Sequence, residues 1–563
     1  MAANTLRSPL VCTLLATLLA IGPTANAADL VVINAKIWTA NPAQPQAQAV
    51  AVTGDRIVAV DTTDQIRPHI SPDTQVIDAA GRRVIPGLID CHAHITSAGL
   101  QLTRLNLRDV PDRDAFIAEV AKAARTRQPG QWLLGGRWSV ESWSNPQSPT
   151  REWIDPVTGP IPTLLSRMDG HQALANSAAL KLAGIDEAGP PDPPGGQIER
   201  DPQTGQPTGI LKDDAMNLVS RFIPPLSDAD RDAAVLRAMQ RANSMGVTAI
   251  HDMASPADIA GYERIRRAGR ATLRIRAFLS TDDWPAHYDR VRNFAHDDWV
   301  TLAGFKGFMD GSLGSRTAYM HQPYADAKPD AKYPAGFLVA MSDPPEKMRR
   351  RIADADRHGF QIVVHAIGDK ANTLLLDAYA SAAGPGPKKD RRHRIEHAQH
   401  LTPSDIGRFA SLGVIASMQP FHKADDGRYA ELALGPQRCR SSYAFADLLQ
   451  AGATLAFGSD WPVVSVNPFK GIAAAVTAKT LAGHTWMPHQ SITVEQALQA
   501  YTAGAAYAGF AEDKLGSIQK GKLADLVILQ TDPLTIPADQ LENVKVWHTI
   551  VGGKTVYTAA HND

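Results

Sequence analysis

Eight short apolar runs, separated from one another by helical stretches, limit what this chain can fold into more than any other feature. They read VIPGLIDCHAH, GVTAIHDM, LRIRAFLS, LAGFKGFMDG, FQIVVHAIGD, RHRIEHAQ, GVIASMQP and ATLAFGSDW. Strands alternating with helices imply a parallel sheet. Eight such units imply a closed (β/α)8 TIM barrel, an α/β fold whose active site lies at the C-terminal ends of the strands. With 563 residues, 44% of them hydrophobic, the chain is long enough for that barrel and further domains.

The barrel is assigned to residues 86–508. Before it, LVVINAKIWTA, AQAVAVTGDRIVAV and TQVIDAAGRRVI read as strands of a small antiparallel unit, and GSIQKGKLADLVILQ and VKVWHTIVGGKTVY after it have the same character. Residues 28–85 and 509–563 are therefore expected to pair into one small β-sandwich. A single connection, about 96–245, is far too long for a βα loop and is expected to carry specificity or a lid.

Residues 1–27 have one cation, Arg7, then an apolar stretch from Leu10 to Ile21 and small residues at Ala25 and Ala27. This pattern predicts a signal peptide cut after Ala27 and export to the periplasm or outside the cell. No later run is long enough to span, so no membrane partner is expected after cleavage. Lys and Arg number 57 against 58 Asp and Glu, which leaves no basic excess to neutralise nucleic acid. A small-molecule substrate is the expected partner, and a homo-oligomer is left open. Cys91 and Cys439 are the only thiols after the leader, too few for a disulfide framework. Cys91 is one strand position from His92 and should point to the opposite face as a buried thiol.

Polar residues punctuate the strand ends: His92 and His94, then Lys306, His365, His397 and Asp460. Alternation puts His92 and His94 on one face, so both imidazoles can reach the same ion. Imidazoles with a carboxylate suit zinc or another borderline divalent metal. Lys306 is the unusual member, since an ammonium is costly to bury and cannot bind a cation. Carbamylated by carbon dioxide, it becomes an anionic ligand able to bridge two metals; the alternative is a lysine that reaches solvent or pairs with Asp310. A GxSxG elbow and phosphate-binding glycine loops are missing, which argues against serine-nucleophile and nucleotide chemistry.

PGLIDCHAH, the strand-borne His365 and His397, FGSDWPV and the closing GSIQKGKLADLVIL together resemble the amidohydrolase superfamily. SRMDGHQALANSAAL, FKGFMDGSLGSRTA and IEHAQ resemble its metal-dependent branch of N-substituted formamide deformylases and related exoenzyme-like hydrolases. The resemblance implies two metal ions, zinc above all. His92 and His94 would bind the more buried ion with Asp460, His365 and His397 the more exposed one, and carbamylated Lys306 would bridge them. It also implies Asp460 as the catalytic residue that moves the proton, and hydrolysis of a non-peptide or small peptide-like C–N bond, such as an N-substituted formamide or N-acyl amine. A deaminase or ester hydrolase on the same scaffold, and a degenerate binding protein, are the competing readings.

Substrate-binding candidates follow from the same comparison. His171 and Asn176 lie in the insertion, where they either approach the metal mouth or serve a helix start. Asp310 is a further substrate-binding candidate, and Arg316 either binds an anionic group or the reacting oxyanion, or anchors its loop to Asp310. His251 either lines the pocket or bonds within the barrel. Trp461 and Trp138 either line the pocket or fill core.

Overall fold

The structure, a computed structural model, describes residue 1 and residues 27–128, 130–282, 284–384 and 389–560. The apolar stretch of the expected signal peptide lies outside the described residues.

The eight apolar runs form one parallel sheet. Its strands are β1 (Leu88–Ala93), β2 (Val247–Met253), β3 (Arg274–Ser280), β4 (Val300–Phe308), β5 (Gln361–Ala366), β6 (Arg394–His397), β7 (Ile415–Met418) and β8 (Leu455–Phe457), ordered in space as in sequence. An isolated parallel bridge from Ala93 to Trp461 brings the last strand against the first, so the barrel is nearly closed. Helices cover the outer face while side chains fill the inner one, which explains why β1, β5, β6, β7 and β8 are buried at every position. The intervening helices start where caps dictate. Ser227 accepts the amide of Asp230, and Ser255 with Asp258 makes a reciprocal capping box.

The chain ends form two further sheets that share a core of Val32, Ile37, Val50, Ile77, Leu526 and Ile550. One is four-stranded and N-terminal. The other joins Lys36–Trp38, Gln46–Ala47 and Arg83–Pro86 to Leu526–Leu529, Val546–Val551 and Lys554–Thr558. The expectation of a purely antiparallel unit is corrected here. Leu30–Ile33 runs parallel to Gln75–Asp78, and Lys36–Trp38 parallel to Arg83–Pro86. The hairpin Ala49–Asp61 and the helix Thr63–Ile66 return the chain to its starting end, so the third segment must run in the first one's direction. LVVINAKIWTA, read as one strand, is broken at Asn34, whose φ of +53° turns the chain from one sheet into the other.

The long insertion has a six-stranded mixed sheet of its own, from Leu105–Asn106 to Pro207–Asp213. Among the described residues no helix is long and apolar enough to cross a membrane.

Candidate metal centre

The sequence candidates converge at the C-terminal mouth of the barrel. His92 and His94 leave β1 on the same side, as strand alternation requires, and His94 Nε2 lies 3.2 Å from Asp460 Oδ1, with His92 Nε2 3.5 Å from the same oxygen. His397 and Asp460 owe their placement to the backbone. Both adopt left-handed conformations, with φ of +74° and +57°, that turn their side chains out of strand alternation. Such backbone costs about 1–3 kcal/mol at a non-glycine residue, so the surrounding packing must hold it.

Three imidazoles are gripped by one ring nitrogen each. His92 Nδ1 meets Glu396 Oε2 at 2.5 Å, His397 Nδ1 meets Gln419 Oε1 at 2.7 Å, and His365 Nε2 meets the Gly311 carbonyl at 3.0 Å. A proton on each gripped nitrogen leaves the other with its lone pair free, the arrangement that orients metal-binding histidines. Burial, with the Lys306 ammonium beside it, pushes His92 down to about 4, and burial holds His365 and His397 well below the ordinary imidazole value. All three are therefore neutral at pH 7, as metal ligation requires. Burial by itself would raise the Asp460 carboxyl, but His92 and His94 hold it well below the usual range, ionised.

Two tight donor groups result, each within 4.8 Å: His92, His94 and Asp460, and His397, His422 and Asp460. The second group departs from the expected set. His365 stands beside His397, ring centroids 4.5 Å apart, but His422 occupies the cluster with Asp460. His422 comes from the helix Pro420–Asp426 just past β7; its Nδ1 is 3.2 Å from Gln399 Nε2, and its buried Nε2 has no hydrogen-bond partner. An orphaned imidazole nitrogen facing a carboxylate and a further imidazole fits a divalent metal. The signal available in the sequence was position: PFHKADD follows a strand end, where the other site residues also lie.

Lys306 is 3% exposed, with Nζ 3.2 Å from His92 Nε2, and burial lowers it to about 8. Neither alternative reading survives. It does not reach solvent, and Asp310 is occupied by the backbone amides of Tyr319, Ile367 and Gly368 at 2.8–3.0 Å, buried and pushed up to about 7. Asp310 thus ties loops together rather than facing substrate.

The remaining candidates divide. His171 stands at the mouth, its ring 4.9 Å from that of His365 and its Nδ1 2.7 Å from Asp213 Oδ1; burial opposes the charge, but Asp213 raises the imidazole to about 9. Asn176 does not reach the mouth. It is fully buried, caps the helix Ser177–Leu182 and also bonds Thr158, Ile161 and Thr163. Arg316 anchors its loop, through Asp326 at 2.6 Å rather than Asp310. Trp461 and Trp138 are core side chains, Trp138 donating to the Leu165 carbonyl. His251 bonds Arg394 inside the barrel, and Cys91 is buried, its thiol pushed up.

Glu396 and Arg394 were missed altogether. Arg394 Nε donates to Glu396 Oε1 at 2.7 Å, and its other nitrogens reach the Cys91 carbonyl and Ser417, so a fully buried ion pair braces His92 from below. In RHRIEHAQ their spacing of two places them on one strand face, a signal that adjacent His397 obscured.

Residues 75–557 match the amidohydrolase family. The protein LONG AFTER FAR-RED 3 of Arabidopsis thaliana is 38% identical over 95% of this chain and 92% of its own length. An N-substituted formamide deformylase of Arthrobacter pascens is 28% identical over 94% of this chain and 98% of its own length. A solved uncharacterized metal-dependent hydrolase from Pyrococcus furiosus superposes with a TM-score of 0.70 at 27% identity, over 90% of this chain and 100% of that one.

Proposed function

This chain belongs to the amidohydrolase family, and on that premise we propose that it is a metal-dependent hydrolase of a C–N amide bond in a small molecule. The observation that carries the reading is the set of buried, neutral imidazoles, each gripped by one nitrogen, around the ionised Asp460. His92, His94 and Asp460 would hold one ion, and His397 with His365 or His422 a second; carbamylated Lys306 would bridge them. A divalent metal so held supplies Lewis acidity, polarising the substrate carbonyl and lowering the pKa of water.

The chain's own residues carry the proton. Water adds to the carbonyl carbon, and Asp460 accepts its proton. The same carboxyl returns that proton to nitrogen as the C–N bond breaks, which yields an acid and an amine. The similar formamide deformylase supports an N-substituted amide or formamide as the class. The expected leader supports export of the enzyme.

A panel of N-formyl amines, N-acyl amines and matched esters, assayed with metal-reconstituted protein, tests the reading. Amide turnover that a chelator abolishes and metal restores is the expected result. Cleavage of esters with every amide untouched overturns it.

A further inference from the structure

The donor cluster opens into a cavity of about 910 Å³ between the barrel mouth and the insertion, far more room than a formamide needs. Its wall holds Arg104, Arg127 and Arg137, all supplied by the insertion. Among the described residues none of the three makes an ion pair with a carboxylate, and the buried Nε atoms of Arg127 and Arg137 have no partner. Among the described residues the only hydrogen bond from any of these guanidiniums is Arg137 Nη2 to the Val463 carbonyl, 3.1 Å. Arg104 lies close enough to Arg127 for the two charges to oppose one another, and burial lowers Arg137 to about 10.

The acids in the cavity cannot neutralise this charge. Asp169 is taken by Arg167, Ser312 and Ser315 at 2.5–2.8 Å, and Asp460 belongs to the donor cluster. Other arginines in the chain are paired, as Arg274 is with Asp525 and Arg83 with Asp532, although Arg276 is also buried with an unpartnered Nε.

The backbone around Arg137 is built to aim it. The strand Leu133–Trp138 slips register against Thr163–Arg167 between Gly136 and Trp138, and Arg137 sits in that bulge with φ of +62°. Gly135 and Gly136 precede it with φ of +139° and +112°; a Cβ on either would fall within 2.4 Å of the Leu105 or Ser166 carbonyl oxygen. Bulges of this kind re-aim a side chain beside a site. Arg137 is half-buried with a single backbone acceptor, and the forked donors that remain match a carboxylate.

We propose that Arg104, Arg127 and Arg137 form an anion-recognition wall, and that the substrate carries a carboxylate on the leaving amine, in addition to the amide that is cleaved. The proposal rests on the hydrolase reading for the word substrate, but not for the binding of the anion. Low-dielectric walls of one charge concentrate anions near the metal mouth, and salt weakens that attraction.

Two measurements test it separately. The first compares kcat/KM for N-acetylphenylalanine and for N-acetylphenethylamine, which lacks only the carboxylate. The wall predicts at least a tenfold preference for the acid, carried by KM and lost in R104Q/R127Q and in R137Q. Equal kcat/KM for the two substrates overturns the wall while leaving hydrolysis standing. The second measures binding of 3-phenylpropionate and of 3-phenylpropanol by calorimetry, with metal content checked in every sample. Tighter binding of the anion, weakened at least tenfold by the substitutions and by 0.5 M salt, supports the wall even if neither amide is hydrolysed. Anion affinity unchanged in the variants at equal metal content overturns it, and the wild-type comparison stands whether or not a variant folds.

Discussion

His92 Nδ1 lies 2.5 Å from Glu396 Oε2, so the imidazole that leads the metal cluster is aimed by a buried carboxylate from β6, itself held by Arg394. Burial would raise the Glu396 carboxyl, yet Arg394 and His92 hold it well below its usual value. Replacing Glu396 by Gln should weaken metal binding by about 10–100-fold, the usual effect of losing such an orienting partner. It also leaves Arg394 buried without its counter-charge, which should cost about 3–5 kcal/mol of stability. Metal titration against a chelator and thermal unfolding read the two effects apart; unchanged metal affinity would remove the orienting role.

Asp460 has two tasks in the proposed reaction, ligand and proton carrier. D460N keeps the oxygen donor but loses the proton-accepting charge, so kcat should fall by about 10²–10⁴ while much of the metal stays bound. Metal analysis alongside steady-state kinetics checks this, and wild-type kcat in the variant would rule out the proton role.

Lys306 as a carbamate makes a prediction that needs no substrate. Protein reconstituted with metal and ¹³C-bicarbonate should show a carbamate carbon by NMR that K306A lacks, and K306A should retain one metal equivalent rather than two. A plain amine at Lys306 with two metals bound would refute the bridge.

Asp356 provides a pH test away from the metal. His393 and Arg391 hold its carboxyl well below the ordinary value; Arg391 Nε lies 2.5 Å from Oδ1. The folded state therefore gives up this proton more readily than the unfolded state, and the stabilisation, fully present above the unfolded value near 4, is lost as pH falls through the folded one. D356N should be less stable by about 1–2 kcal/mol at pH 7, with the gap to wild type closing below pH 4. Denaturant titrations at pH 2.5, 3.5 and 7 measure it. A constant gap would contradict the coupling.

The leader is testable by N-terminal sequencing of protein recovered from the periplasm or medium. Ala28 should be the first residue. The Ala28 amide already bonds the His69 carbonyl at 2.9 Å and its side chain is buried, so the mature terminus would be anchored in the sandwich.

The barrel was legible because buried parallel strands are rich in apolar residues, and eight such segments recur between helical stretches. The positions of His92, His94, Lys306, His365, His397 and Asp460 were legible for a related reason: a charged or imidazole side chain stands out at the end of an apolar run, although His251, Asp310 and Arg394 show that such a residue can also serve only to brace the barrel. Sheet direction at the chain ends was not, since the pattern of Leu30–Ile33 is the same whether its neighbour runs up or down.

What the sequence determined by itself, then, is the periodic part: eight strands, the polar residues that end them, and the resemblance those residues carry. Tertiary structure alone decided the partners. Glu396 beneath His92, His422 beside Asp460, Asn176 in a helix cap and the unpaired Arg137 in a bulge depend on distances between segments far apart in the chain. Local pattern fixes which face a side chain leaves from, but only packing fixes what it meets there.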